Sequence, residues 1–542
     1  MKVNYTVKLL LPAITASLGT IGKDIDVEIK RDKEGKPFFS GKQVKGILRE
    51  RVFQFKNALN EDSNSFIKKY FGDEGNYIEK NDFSKIIFSN LTLKKDNKEK
   101  IGSRHGIRID RRTRTTIPKS LFNYEFLREN NEFEGELTFK DDIDREDLKF
   151  ILASLFHLDF IGGFKSRGLG KIEVSIDGKN INSLEEIVKN LKFEEKKVNK
   201  DKVNNKLVKY AYELVLDEPL ILKAREISNY VEVKKYLQGS TIRGALIEFF
   251  VKEGIKLDDI LKIKASDAIK EKVSLASLFK TKYKVNNEDV IKDKAQTTVI
   301  EVEGVKLERY SNPDFSIVGN EVSVKINSKT KSVESGMLFN TEYLSSYEKN
   351  KENEIEKILL NGDVEFPEGL IEKNEKYTIY LGKLKTKGFG KASIIFKDYN
   401  VTKESIVSRI DKFNKNIPEN EKEELSNKTL ITFDLQSDML LPYTDIYDAQ
   451  EQFKILANLS DNFKFNYSRS FVNTSKLEGY NLINNIRKID ELIFNRGSVF
   501  TFEVDNYKDE LELLNKIEEE GIGLRKNEGF GRVQICSSRG DN

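Results

Sequence analysis

The sequence predicts an α+β protein built from three related units, and three observations carry that reading. First, a glycine loop recurs: Lys165-Ser-Arg-Gly-Leu-Gly-Lys171 is matched by Lys385-Thr-Lys-Gly-Phe-Gly-Lys391, and Asn527-Glu-Gly-Phe-Gly-Arg-Val533 repeats it near the end. Second, two further pairs keep the same order. Gly41-Lys-Gln-Val-Lys-Gly-Ile-Leu48 matches Gly239-Ser-Thr-Ile-Arg-Gly-Ala-Leu246, and Leu121-Phe-Asn-Tyr-Glu-Phe126 matches Leu338-Phe-Asn-Thr-Glu-Tyr343. Third, the strand-like openings YTVKLLLP, YELVLDEP and FDLQSDMLLP each run into a proline (Pro12, Pro219, Pro442) in a chain with only eight.

Each unit is expected to open with a strand and to close with helix, glycine loop and strand. Before the first loop, Leu148, Ile151, Leu152, Leu155 and Phe156 recur at helical spacing; after it, Ile172, Val174 and Ile176 alternate like a half-buried strand. Leu511, Leu514 and Ile517 give the helix before the third loop. That outline fits a ferredoxin-like β-α-β-β-α-β unit, which is also the scaffold of the common RNA-recognition module. The expected domains are 1–195, 207–400 and 428–542. Lys-rich Lys192 to Lys206, and Asn414 to Lys428, read as linkers. The charged stretch at 252–284 reads as a helical insertion in the second unit.

Composition narrows the function classes. At 542 residues the chain holds roughly two to four domains. The formal charge is +3, from 92 basic and 89 acidic residues, so the overall charge does not announce nucleic acid. Local segregation does: Gly41 to Lys56 carries five cations against one acid, and Arg104 to Lys119 six against one. A single cysteine, Cys536, excludes a disulfide framework and a cysteine zinc site, and fits a reducing cytoplasmic setting. With two histidines, His105 and His157, and no long apolar run, the sequence points away from histidine-based catalysis and from the membrane.

The glycine loops pose the chemical question. Phosphate loops usually precede a helix, whereas these follow one, and neither a Walker loop nor a dinucleotide fingerprint fits. Glycine still lets backbone amides approach a phosphate, with neighbouring cations adding sequence-independent affinity. On that reading Gly162, Gly163, Gly168 and Gly170 shape the first loop, with Lys165, Ser166 and Arg167 facing RNA. Lys385, Lys387, Gly388 and Gly390 repeat it. The third loop departs from the pattern, because Glu528 stands where Arg167 and Lys387 stand, although Arg525, Lys526 and Arg532 surround it. Lys42, Lys45 and Arg49 begin a helix whose Val44, Ile47, Leu48 and Val52 face the core, and Arg243 matches Lys45. In RHGIRIDRRTRTT, Arg108, Arg111, Arg112 and Arg114 alternate with other residues, as in a hairpin beside a nucleic acid.

These residues resemble the RAMP superfamily of CRISPR-associated proteins. IGKDIDVEIKRDKEGKPFFSGKQVKGILR and IRIDRRTRTT resemble a backbone-type RAMP domain; GSVFTFEV and GIGLRKNEGFGRVQI resemble the subunit that caps the five-prime end of type III-D effector complexes. The resemblance implies a structural subunit that holds the five-prime repeat-derived tag of a guide RNA. Its expected partners are guide RNA, target RNA, a large polymerase-like subunit, backbone RAMP subunits and a small subunit, with no cofactor required for binding. Capping subunits of this family bind rather than cut. Backbone subunits cut target RNA with an aspartate that Asp26, or its neighbour Asp24, matches; that alternative brings a divalent metal, Mg or Mn. A non-CRISPR RNA-binding protein on repeated ferredoxin-like units is the remaining alternative.

Overall fold

The computed structural model describes the chain outside residues 19–24, 33, 73–83, 95–100, 141–142, 192–203, 205, 286–289, 300, 303, 312, 316, 327–332, 351–353, 400–403, 426–427, 443–444, 446, 479, 482–485, 488 and 538–542. Two compact units result. Residues 1–196, 349–356 and 383–391 form the first; 197–348, 357–382 and 392–542 form the second.

In the first unit, β1 (Lys2–Leu9) buries Val3, Tyr5, Val7 and Leu9, the alternation that gives a strand one core face. α1 (Gly41–Ala58) turns Val44, Leu48 and Val52, four residues apart, onto the same core. The chain continues through β2 (Ile86–Phe88), β3 (Leu91–Leu93), β4 (Ile101–Gly106), β5 (Phe122–Leu127), β6 (Glu132–Phe139), α2 (Arg145–Phe156) and β7 (Ile172–Ile176). Asp144 caps α2 by accepting the N–H groups of Glu146 and Asp147. The sheet runs β7–β1–β6–β3, with β2 also on β6, and its pairings are antiparallel. Last, first, third, second is the ferredoxin-like strand order. β4 and β5 pair outside this sheet as a hairpin that carries the basic stretch between them.

The second unit holds two more sheets built on this order, the first with one extra strand at its edge. One comprises β8 (Leu207–Leu216), β9 (Lys264–Ala265), β10 (Leu359–Pro367), β11 (Lys376–Tyr380) and β12 (Lys391–Asp398), with α3 (Gly239–Lys252) following its first strand. Its order is β9–β10–β8–β12–β11. After α4 (Ile406–Lys415) and α5 (Glu419–Glu424) come β13 (Thr429–Leu435), α6 (Ala449–Leu456), β14 (Lys464–Phe465), β15 (Val499–Val504), α7 (Leu511–Glu520) and β16 (Val533–Ile535). These form the sheet β14–β15–β13–β16. Its core is aromatic: Phe453 stacks on Phe500 at 4.0 Å between ring centres, and Phe433, Phe463 and Phe502 close around them.

Three expectations are corrected. The element before the second glycine loop is the strand β11 rather than a helix, because Tyr377, Ile379 and Leu381 are buried with a period of two. The stretch at 252–284 is no helical insertion. It holds one helical turn, Leu257–Ile260, and the short strands β9 and Leu278–Thr281, with Ile255, Ile260, Ile263 and Ala268 buried. Asn414 to Lys428 is no extended linker among its described residues: it contains the end of α4 and all of α5, and Glu421 is buried against Arg469. No helix among the described residues is long and apolar enough to cross a membrane.

Candidate nucleic-acid interface

The three glycine loops share one backbone. Phe164, Leu384 and Arg525 open them in the left-handed region, with φ of 55°, 57° and 52°. Four residues later Gly168, Gly388 and Gly529 take φ of 79°, 86° and 92°, where a side chain is strained. In each loop an N–H two residues before the last glycine's predecessor closes the same turn at 2.8 Å: Arg167 to Phe164 O, Lys387 to Leu384 O, Glu528 to Arg525 O. The outer glycines face the protein itself. A Cβ on Gly162 would lie 2.3 Å from Ile14 O, and one on Gly170 2.0 Å from Ile161 O. Close backbone packing therefore accounts for those glycines, and Gly163 donates its N–H to Ile14 O at 2.9 Å.

The middle glycines differ in what covers them. Gly168 meets open space, and Lys165, Ser166 and Arg167 are exposed, with the Arg167 guanidinium 4.6 Å from the centre of the Phe164 ring. The second loop, which belongs to the first compact unit, is covered: Asn90 Nδ2 donates to Gly388 O at 3.3 Å, and Lys391 Nζ lies 2.9 Å from Glu136 Oε1. In the second unit, a Cβ on Gly529 would lie 2.3 Å from Ala265 O, and Arg532 holds Asp363 with two hydrogen bonds of 2.6 Å. Arg525 pairs with Glu491 at 2.9 Å, while Lys526 remains exposed. Arg243 spends its guanidinium on the carbonyls of Ile263 and Leu261. Sequence reasoning grouped Arg243, Arg525 and Arg532 with RNA; their partners in the fold are carbonyls and carboxylates of the protein.

The start of α1 is different. Its first turn contains no acid, and Ser40, the residue before it, makes no side-chain capping bond; the buried Ser40 Oγ has no hydrogen-bond partner among the described residues. Lys45 is buried at 9% exposure and donates to Thr386 Oγ1 at 3.3 Å. Burial, followed by repulsion from Lys387, Arg49 and Lys140, lowers its pKa to about 7. Further along the helix, Arg51 and Lys56 are taken by Asp159 and Glu61. Lys42, Lys45 and Arg49 are thus on one helix with Lys140 and Lys387 brought in from elsewhere in the first unit. Lys140 escaped sequence reasoning because it follows β6, far from α1 in sequence. A group of like charges around a buried ammonium is an environment that an anion stabilises.

The hairpin of β4 and β5 presents Arg108, Arg111, Arg112 and Arg114 to solvent. Asp110, the one acid between its two strands, is turned inward on the tip: its carboxylate accepts the N–H groups of Arg112 and Thr113 at 2.8 and 3.0 Å, and these bonds hold its pKa below the usual range. Ile107 and Ile109 are exposed between the arginines, at 52% and 57%. Asp26 is exposed beside the hairpin's second strand, where its Oδ2 accepts the Asn123 N–H at 2.7 Å. The Asn123 side chain also bonds His105 Nδ1. Asp24 lies outside the described residues. His157 ends α2 with its ring edge-on to Phe55 at 5.5 Å, a packing role. Among the described residues, no group of three or more His, Cys, Asp or Glu side chains could hold a metal ion.

Two solved structures illustrate the overlap with known proteins. A chain of the type III-B Cmr-beta complex in its apo state aligns at 14% identity and TM-score 0.28, over 33% of this chain and 97% of that one. A chain of type III-B Cmr-beta bound to cognate target RNA aligns at 15% and 0.26, over 32% and 59%. No curated protein matches the sequence. The family model of the RAMP superfamily matches residues 17–173 and 219–393, more than half of the chain and one match in each of the first two ferredoxin-like units. With that match on top of the repeated fold and its glycine loops, the chain belongs to the RAMP superfamily.

Proposed function

We propose that the chain is an RNA-binding structural subunit of a type III CRISPR effector, holding the guide along the start of α1 and the basic hairpin. The observation that carries this reading is Lys45, buried among Arg49, Lys140 and Lys387 at a helix start without acids. A phosphate there would relieve the repulsion, and the exposed Arg108, Arg111, Arg112 and Arg114 would continue the path along the backbone. The finer role is the III-D-like cap on the five-prime tag. Sequencing both ends of the copurifying RNA tests it: a uniform repeat-derived five-prime end supports the cap, and random ends remove it.

For the RNA path itself, affinity for a single-stranded guide is measured against salt. Lys45→Gln combined with Arg49→Gln should weaken binding and lower the log–log salt slope by about 0.7 per lost phosphate contact. An unchanged slope takes α1 out of the path. A second reading, cutting of target RNA through Asp26 with a bound Mg or Mn ion, is favoured by that residue's exposure beside the basic hairpin. In that case Asp26→Ala removes one cut and leaves assembly intact.

A further inference from the structure

We propose that the first glycine loop is a protein-docking element whose receptor is a RAMP-fold domain on a different chain. The other two loops display the docking chemistry. For the second, the receptor is a helix that starts on Gly41, whose N–H is held by Asn90 Oδ1 at 2.8 Å; a Cβ on Gly388 would lie 2.3 Å from that same oxygen. The cation closing the loop, Lys391, pairs with Glu136 of β6. For the third, the receptor helix starts on Gly239, whose N–H is held by Asp267 Oδ1 at 2.8 Å, and Gly529 sits with its Cβ position 3.2 Å from Gly239 Cα. The closing cation, Arg532, pairs with Asp363 of β10. Glu136 and Asp363 each follow a glycine, Gly135 or Gly362, that pairs across the sheet with Tyr5 or Tyr212.

Two independent copies therefore use one set of parts: a bare left-handed glycine packed at the start of a glycine-started helix, on Asn90 in one copy and on Gly239 in the other, an Asn or Asp holding the helix-starting N–H, and a cation-to-carboxylate pair on the neighbouring strand. The first loop has the same backbone, with Gly168 facing open space and Lys171 exposed at the position of Lys391 and Arg532. Among the described residues, both receptors of this kind are already covered by the chain's own second and third loops. A second copy of the chain thus has none to offer, and the occupant is another chain that presents a glycine-started helix, an Asn or Asp beside it and a carboxylate on its third strand.

The test places a photo-crosslinking benzoylphenylalanine at the exposed Ser166 of the full chain in its native cells, and identifies the crosslinked peptide by mass spectrometry. The expected product joins Ser166 to a glycine-started helix, or the strand beside it, of a different RAMP-fold chain. Lys171→Glu should cut the yield about tenfold, and Lys171→Arg should preserve it, since Arg532 fills that place in the third copy. Melting temperature confirms that the variants fold. A crosslink to RNA, to a second copy or to nothing overturns the inference, as does a yield that Lys171→Glu leaves unchanged. RNA affinity of the same variants, measured separately, distinguishes failure of this docking from failure of the RNA reading.

Discussion

Lys45 is where charge, burial and function meet in one side chain. Its pKa in the fold is about 7 against an ordinary 10.5, so the unfolded chain holds a proton there that the folded chain has released between those values. Stability then rises with pH across that window, and below about pH 7 the full cost of burying the ammonium is present. RNA binding runs the other way. Above pH 7 a phosphate must draw a proton onto Lys45, so affinity is expected to fall as pH rises from about 7. Lys45→Arg, charged throughout, should abolish this dependence, which anisotropy titrations between pH 6 and 9 would check. Asp26 is a smaller matter for the fold: removing its bond to the Asn123 N–H should cost about 1 kcal/mol, seen in chemical denaturation. The sequence offered both residues as candidates, but their environments came from elsewhere in the chain.

At the scale of elements, the glycine loops separate strain from contact. Gly168→Ala meets nothing and should cost only the strain of a left-handed alanine, about 1 kcal/mol. Gly529→Ala carries the same strain and also drives a methyl against Ala265 O and Gly239 Cα, so its loss should exceed about 3 kcal/mol. Equal melting temperatures for the two variants would contradict the difference in cover. α5 makes a second case. Glu421, despite its burial, is held below the usual carboxylate range by Arg469, Thr297 and the Thr298 N–H, and both ends of the ion pair are about 5% exposed. Glu421→Gln should cost about 3–5 kcal/mol in thermal unfolding. In the wild type this contribution is present above about pH 4.5 and lost as pH falls through the lowered value. A polar run read as a linker is thus a helix, because one buried acid ties it down.

For the molecule as a whole, residues 383–391 matter most, since they belong to the first compact unit although they lie far beyond residue 196. Proteolysis within 192–203 is therefore expected to leave the two fragments associated; native size-exclusion that releases a free fragment of 1–191 would contradict this. The sequence by itself determined the repeat, the ferredoxin-like class of the units and the family resemblance, because alternating apolar strands and spaced helix faces such as Val44, Leu48 and Val52 are local patterns. It determined where the glycine loops fall too, but not that each opens on a left-handed non-glycine residue, Phe164, Leu384 or Arg525. Tertiary structure decided what the loops touch. Nothing local in GFGK or GFGR says that Lys391 will meet Glu136, that Arg532 will meet Asp363, or that Lys140 and Lys387 will crowd Lys45. Those pairings depend on distances between residues separated by up to some hundreds of positions, and charge acts through space with no regard for order along the chain.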